Sequence, residues 1–186
     1  MWAQVTLIFA IFFVSLSYAD TEIKLYRPFG DVVEQQPLVI KATYSGVCWQ
    51  QSRRIQREDA WRCQVQDKIY DPCFVKQFSA FKQAICPQSP WNGASVLINL
   101  PAAVNNSQHS QLDVSKTYPW AIELNTGERC EALDKEAMYD NMPIRYRCNN
   151  QTELLGHLQR CKSTWTILQR DKNSQITTVI VTKAWF

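Results

Sequence analysis

The sequence predicts an all-β or β-rich fold, a sandwich or barrel with long disulfide-pinned loops and at most one or two short helices. Three observations point there. Short runs alternate apolar and polar residues and end at Pro, Gly or Asn. Apolar residues at helical spacing are scarce. Seven cysteines stand at gaps of 15, 10, 13, 44, 18 and 13 residues, which suit disulfide staples better than the short paired spacings of a zinc site.

Met1 to Ala19 reads as a secretory signal. Val5 to Leu16 is an apolar run, Ser17 and Ala19 are the small residues a signal peptidase reads, and Asp20 becomes the new N-terminus. The run is short for a membrane span, which needs about 20 residues. Residues 20–186 are therefore expected as a single β-rich, disulfide-stapled domain, secreted or periplasmic, without stable membrane insertion after cleavage. A net charge of +3 gives no reason to expect a nucleic-acid partner. Arg53-Arg54-Ile55-Gln56-Arg57 is offset at once by Glu58 and Asp59, and reads as a solvated loop or short helix.

Strands are expected where alternation is clearest. They are Glu22–Tyr26 before Pro28, Leu38–Tyr44 after Pro37, and Trp61–Val65 with Lys68–Phe74 around a Gln66-Asp67 turn. Asp71-Pro72 should bend or end the last of these. Ser95–Leu100 closes at Pro101. Trp120–Leu124 leads into the turn residues Asn125-Thr126-Gly127, and Ile144–Cys148 into Asn149-Asn150. Trp165–Gln169 and Ile176–Phe186 form a terminal hairpin rich in Thr, Val and Ile. Two short helices compete: Cys130–Met138 by propensity, and Phe74–Ile85, where Phe74, Phe78, Phe81 and Ile85 share a helical face. Core packing accounts for that aromatic stripe. The polar segment Ala102–Ser115 is expected as an exposed loop.

Six cysteines allow 15 pairings. The local scheme, Cys48–Cys63, Cys73–Cys86 and Cys130–Cys148, closes loops of 15, 13 and 18 residues. Cys161 is then the free thiol, available for a disulfide-linked dimer. If Leu154–Cys161 were helical, His157 and Cys161 would share a face and a Cys–His nucleophile would be conceivable, but no third group or oxyanion hole is visible. His109 belongs to the polar loop. The carboxylates Asp59, Asp71 and Glu123 are scattered; Asp71 reads as a turn residue and Glu123 as surface. No catalytic, cofactor-binding or metal-ligating motif is present, so none is assigned and no cofactor is expected. Trp49, Trp91 and Trp120 lie nearest to loops or prolines and are the candidates for stacking on a ligand; packing into the core is the alternative for each. Asn105-Asn106-Ser107 and Asn150-Gln151-Thr152 fit the N-glycosylation pattern.

The cysteine neighbourhoods carry a resemblance. Cys48-Trp49, Asp59-Ala60-Trp61-Arg62-Cys63, Tyr70-Asp71-Pro72-Cys73-Phe74 and Cys86-Pro87 with Ser89-Pro90-Trp91 come first. Pro119-Trp120-Ala121-Ile122-Glu123-Leu124 with Gly127 and Cys130, Tyr146-Arg147-Cys148, Trp165-Thr166-Ile167 and Ala184-Trp185-Phe186 follow. Over about residues 48–186 the chain resembles a group of small secreted bacterial proteins of unknown function, of the actinobacterial type. The resemblance implies secretion, six paired cysteines and no equivalent of Cys161; it implies no activity. The expected function is a secreted, non-catalytic binding or interaction domain for an unknown protein or glycan. The alternative is a secreted hydrolase acting on cell-wall or host polymers through carboxylates from distant strands.

Overall fold

The computed structural model describes residues 20–29, 37–76 and 82–186. Residues 1–19, expected as a secretory signal, and the aromatic positions Phe78 and Phe81 lie outside the described residues. The described chain is all-β, with no helix among these residues. The strands are β1 (Glu22–Lys24), β2 (Val39–Ser45), β3 (Val47–Gln51), β4 (Ala60–Val65), β5 (Lys68–Val75), β6 (Gln83–Pro87) and β7 (Ala94–Asn99). They continue as β8 (Ala121–Leu124), β9 (Arg129–Ala132), β10 (Met138–Tyr139), β11 (Met142–Cys148), β12 (Glu153–Gln159), β13 (Trp165–Arg170) and β14 (Ile176–Trp185).

The C-terminal strands close on themselves. They run in the order β14-β13-β12-β11-β9-β8, and β8 pairs back onto β14, giving a six-stranded barrel with β1 added in parallel to β14. Closure removes the free edges that β8 and β14 would otherwise expose. The alternation seen in the sequence sets the inside. Trp165, Ile167 and Gln169 of β13 are buried while Thr166, Leu168 and Arg170 are less so. Inward residues of both ends, Ile122, Leu124, Tyr146, Leu154, Val181 and Phe186, fill one core.

The N-terminal strands form a second sheet, ordered β2-β7-β6-β5-β4-β3. Its two outermost strands are consecutive in the chain, separated only by Gly46. One run, residues 39–51, thus pairs in parallel with β7 and then antiparallel with β4. The change of partner needs a close approach at Gly46. A Cβ there would meet the Gln64 carbonyl oxygen, with Val65 Cγ2 at 2.9 Å and Ile98 Cγ2 at 3.0 Å. This sheet has its own core of Trp61, Val65, Val75, Ile98 and Leu100 around its cysteines. It also sends Ile55, Ala60 and Phe74 into the barrel's core. There Phe74 meets Tyr26 and Trp120, with ring centroids 5.2 and 6.1 Å away.

Arg57 clasps the two sheets together. Its Nε lies 2.5 Å from Asp59, and Nη1 donates to the carbonyls of Tyr26 and Phe186 at 2.6 and 2.9 Å. Its guanidinium also covers the Phe74 ring at 4.7 Å. The basic run expected as a solvated loop is therefore split: Arg53 is exposed, Arg54 is partly buried, and Arg57 is buried and structural.

Three disulfides join Cys48–Cys63, Cys73–Cys86 and Cys130–Cys148, with Cα atoms 4.0, 4.0 and 3.8 Å apart. Cys48–Cys63 and Cys130–Cys148 link residues directly opposite each other on antiparallel strands. Cys73–Cys86 is next in register after Phe74–Ile85. Among the described residues, these ladders take the place of both expected helices. Cys130–Ala132 is strand β9, held to β11 by hydrogen bonds and a disulfide. Phe74 and Ile85 face each other across β5 and β6 instead of sharing a helical face. Asp71-Pro72 does not end β5 either; the strand runs through it to Val75. The long polar loop is strapped down: Asn106 donates to the Glu58 carbonyl, Leu112 N–H to the Glu58 carboxylate and Thr117 to the Gln56 carbonyl.

Candidate functional site

Alternation in the barrel wall builds one side of a groove. In β9, Cys130 and Ala132 point inward, which leaves Arg129 and Glu131 outward; in β11, Cys148 is inward and Arg147 outward, opposite Glu131. The 52–59 loop brings Arg54 over this face, and the loop between β6 and β7 brings Trp91. With Asp134 and Asn149 they line a cavity of about 570 Å³ where the two sheets meet. The Arg129 guanidinium lies 5.6 Å from the centre of the Trp91 ring.

Every charged group in the groove has a partner. Arg54 lies 3.4 Å from Glu131, Arg129 lies 3.6 Å from Glu123, and Arg147 lies 3.2 Å from Glu153. Asp134 faces Arg62 at 4.0 Å. Arg62 also approaches Asp71 at 3.8 Å, and its guanidinium lies 6.0 Å from the centre of the Trp49 ring. The groove at Trp91 is thus linked through Asp134 and Arg62 to Trp49, which is 45% exposed. Two guanidinium nitrogens, Arg54 Nε and Arg62 Nη1, are buried without a hydrogen-bond partner.

Burial pushes the carboxyl of Asp71 above the usual range, although the Ser52 hydroxyl, the Arg53 N–H, Arg54 and Arg62 all pull it down. The ion pair to Arg62 is too long to be a hydrogen bond, so desolvation wins. Burial likewise raises Glu131 against the pull of Arg54. Glu131 and Asp134 each stand beside an arginine, Arg54 and Arg62 respectively.

The structure separates the three tryptophans. Trp91 lines the groove while half-buried against the barrel's core, and Trp49 is exposed beside it. Trp120 is fully buried, 5.6 Å from Tyr26, and is a core residue with no face for a ligand. Its position before the alternating strand gave no sign that two other aromatics would cover it. The remaining residues expected from sequence are also relocated. Asp71 is bound to Ser52 and Arg53, far along the chain, and is not a local turn residue. Glu123 holds Lys183 at 3.0 Å as well as Arg129, and its side chain is only 13% exposed. Asp59 is the partner of Arg57.

His109 packs its ring 4.1 Å from that of Trp61. Residues 153–159 are strand, so the helical face required for a His157–Cys161 dyad is absent; His157 Nδ1 instead meets the Tyr118 hydroxyl at 3.0 Å. Cys161 is an exposed free thiol. At the two glycosylation patterns, Asn105 is exposed, whereas the Asn150 amide is tied to Glu128 and Thr152. Sequence reasoning missed Arg54, Arg129, Glu131, Asp134 and Arg147. The signal for three of them was present, since alternation about Cys130 and Cys148 puts Arg129, Glu131 and Arg147 on the outer face.

Comparison of the chain with family models, curated proteins and solved structures returns no match.

Proposed function

We propose that the protein is a secreted, non-catalytic binding domain whose groove takes an oligosaccharide or a similarly hydroxyl-rich ligand, with Trp91 as the stacking platform. The observation that carries this reading is Trp91 set among paired arginines and carboxylates. An apolar ligand would strip water from these ion pairs without replacing its hydrogen bonds. A ligand dense in hydroxyls donates to Glu131 and Asp134, accepts from Arg54, Arg129 and Arg147, and lays an apolar ring face on the indole. Arg and Trp are also the residue types that carry most binding energy at interfaces. The three disulfides support an oxidising location outside the cytoplasm.

An array of immobilised oligosaccharides, probed with the oxidised protein, tests the reading. Binding is expected, with at least a tenfold loss in Trp91→Ala, the size of effect about 1.4 kcal/mol produces. The hydrolase reading rests on Glu131, a groove carboxyl whose proton affinity burial has raised, as a general acid requires. It predicts new reducing ends from a bound polymer and their loss in Glu131→Gln; binding without cleavage sets it aside.

A further inference from the structure

A second cluster lies elsewhere on the barrel wall. Arg145 of β11 and Arg160, just past β12, both place their guanidinium groups against the Tyr118 ring, 4.7 and 5.1 Å from its centre. The Tyr118 hydroxyl meets His157 Nδ1 at 3.0 Å, so an exposed imidazole adjoins the same tyrosine. Backbone geometry assembles the group. Gly156 sits in β12 at φ 70°, where the ladder to β13 shifts register, and its carbonyl accepts from Arg145 Nε at 3.3 Å. Arg160 Nη1 donates to the Val114 carbonyl at 2.8 Å and its guanidinium lies 5.1 Å from the centre of the Trp165 ring.

What distinguishes this cluster is its charge balance. Arg129, Arg147 and Arg170 of the barrel each face a carboxylate. Among the described residues, no carboxylate pairs with Arg145 or Arg160. Asp113, the acidic residue of the adjoining loop, is taken by Ser115 and Lys116. Burial lowers the proton affinity of Arg160, with the two tyrosines nearby acting against it. The Tyr118 ring offsets only part of the cost of leaving both guanidinium groups without a counter-ion. A small oxyanion would remove it, because forked guanidinium N–H donors match its oxygens and imidazole adds a further donor.

We infer that Tyr118, Arg145, His157 and Arg160 form a binding site for a phosphate or sulfate group, separate from the Trp91 groove. The site does not depend on the groove's ligand, so either reading can fail alone.

The chain has only two histidines, which makes the test direct. Titration of the oxidised protein with inorganic phosphate or sulfate, against chloride at equal ionic strength, is followed by the two imidazole proton resonances. The His157 resonance should move saturably while that of His109, packed on Trp61, stays. Arg145→Gln should weaken the affinity at least tenfold, and Tyr118→Phe, which keeps the ring, should weaken it less. Vesicles of phosphatidylglycerol, compared with phosphatidylcholine, form a separate arm. Binding to phosphatidylglycerol alone, lost in Arg145→Gln, would place the recognised phosphate on a lipid headgroup. An equal shift with chloride, or affinity unchanged in a folded Arg145→Gln protein, overturns the site.

Discussion

Arg57 shows how much one side chain can hold. Its donors satisfy Asp59 and the carbonyls of Tyr26 and Phe186, which belong to different parts of the chain. Arg57→Ala takes these donors from Asp59 and the Tyr26 carbonyl, and leaves the Phe186 carbonyl only the Tyr26 N–H. It should cost about 3 kcal/mol or more, the range for breaking a buried pair, read by urea denaturation. Arg57→Lys should recover only part, because an ammonium cannot form the same fork. Asp71 gives a pH signature. Its folded-state proton affinity is raised, so the folded protein binds the proton more tightly than the unfolded chain. Stability attributable to this group is therefore greatest below the ordinary carboxylate range and falls as pH rises from there through the raised value. Stability of the wild type measured across that window should decline relative to Asp71→Asn; a difference that is flat with pH contradicts the assignment. Trp91 and Trp49 were legible in the sequence as candidates because they adjoin turn and proline residues. Trp120 was equally suggestive and is buried, since its cover comes from Tyr26 and Phe74, which no local pattern reveals.

Strands were legible where alternation ran unbroken, as in β4 and β8, or where Thr, Val and Ile were dense, as in the β13–β14 hairpin. Strands β3, β6, β9 and β12 were not. β9 carries residues of good helix propensity, and β12 is interrupted by Gly156. Cross-strand pairing decides their state, and that information lies in the partner strand. The Asp140-Asn141 turn between β10 and β11 has positive φ at both residues, 46° and 59°. It was an overlooked hairpin with a local signature. Gly46 carries the partner change of the 39–51 run. Gly46→Ala should destabilise by about 2 kcal/mol, in the range for forced overpacking, because the Gln64 backbone cannot rotate away as a side chain would. A midpoint of denaturation equal to wild type would show that the approach is looser than described. The Cys130–Cys148 staple pins β9 to β11 and closes a separation of 18 residues. Replacing both cysteines by alanine should cost about 3 kcal/mol in the chain-entropy account, read as a lower urea midpoint. It should also loosen the groove wall formed by Arg129, Glu131 and Arg147.

At the scale of the molecule, a closed barrel and a curled sheet share a core through Ile55, Ala60 and Phe74. Their junction leaves a groove of ion pairs around Trp91. The Cys130–Cys148 disulfide holds strands together next to it, since Cys148 itself lines the cavity. The unpaired Cys161 lies outside this framework. The central claim is that the groove recognises a hydroxyl-rich ligand through Trp91. The most direct measurement compares wild type and Trp91→Ala, both oxidised and shown to melt alike, on the same oligosaccharide array. The account predicts binding by the wild type and at least a tenfold weaker signal from the variant. No binding by the wild type, or equal binding by both proteins, would contradict it.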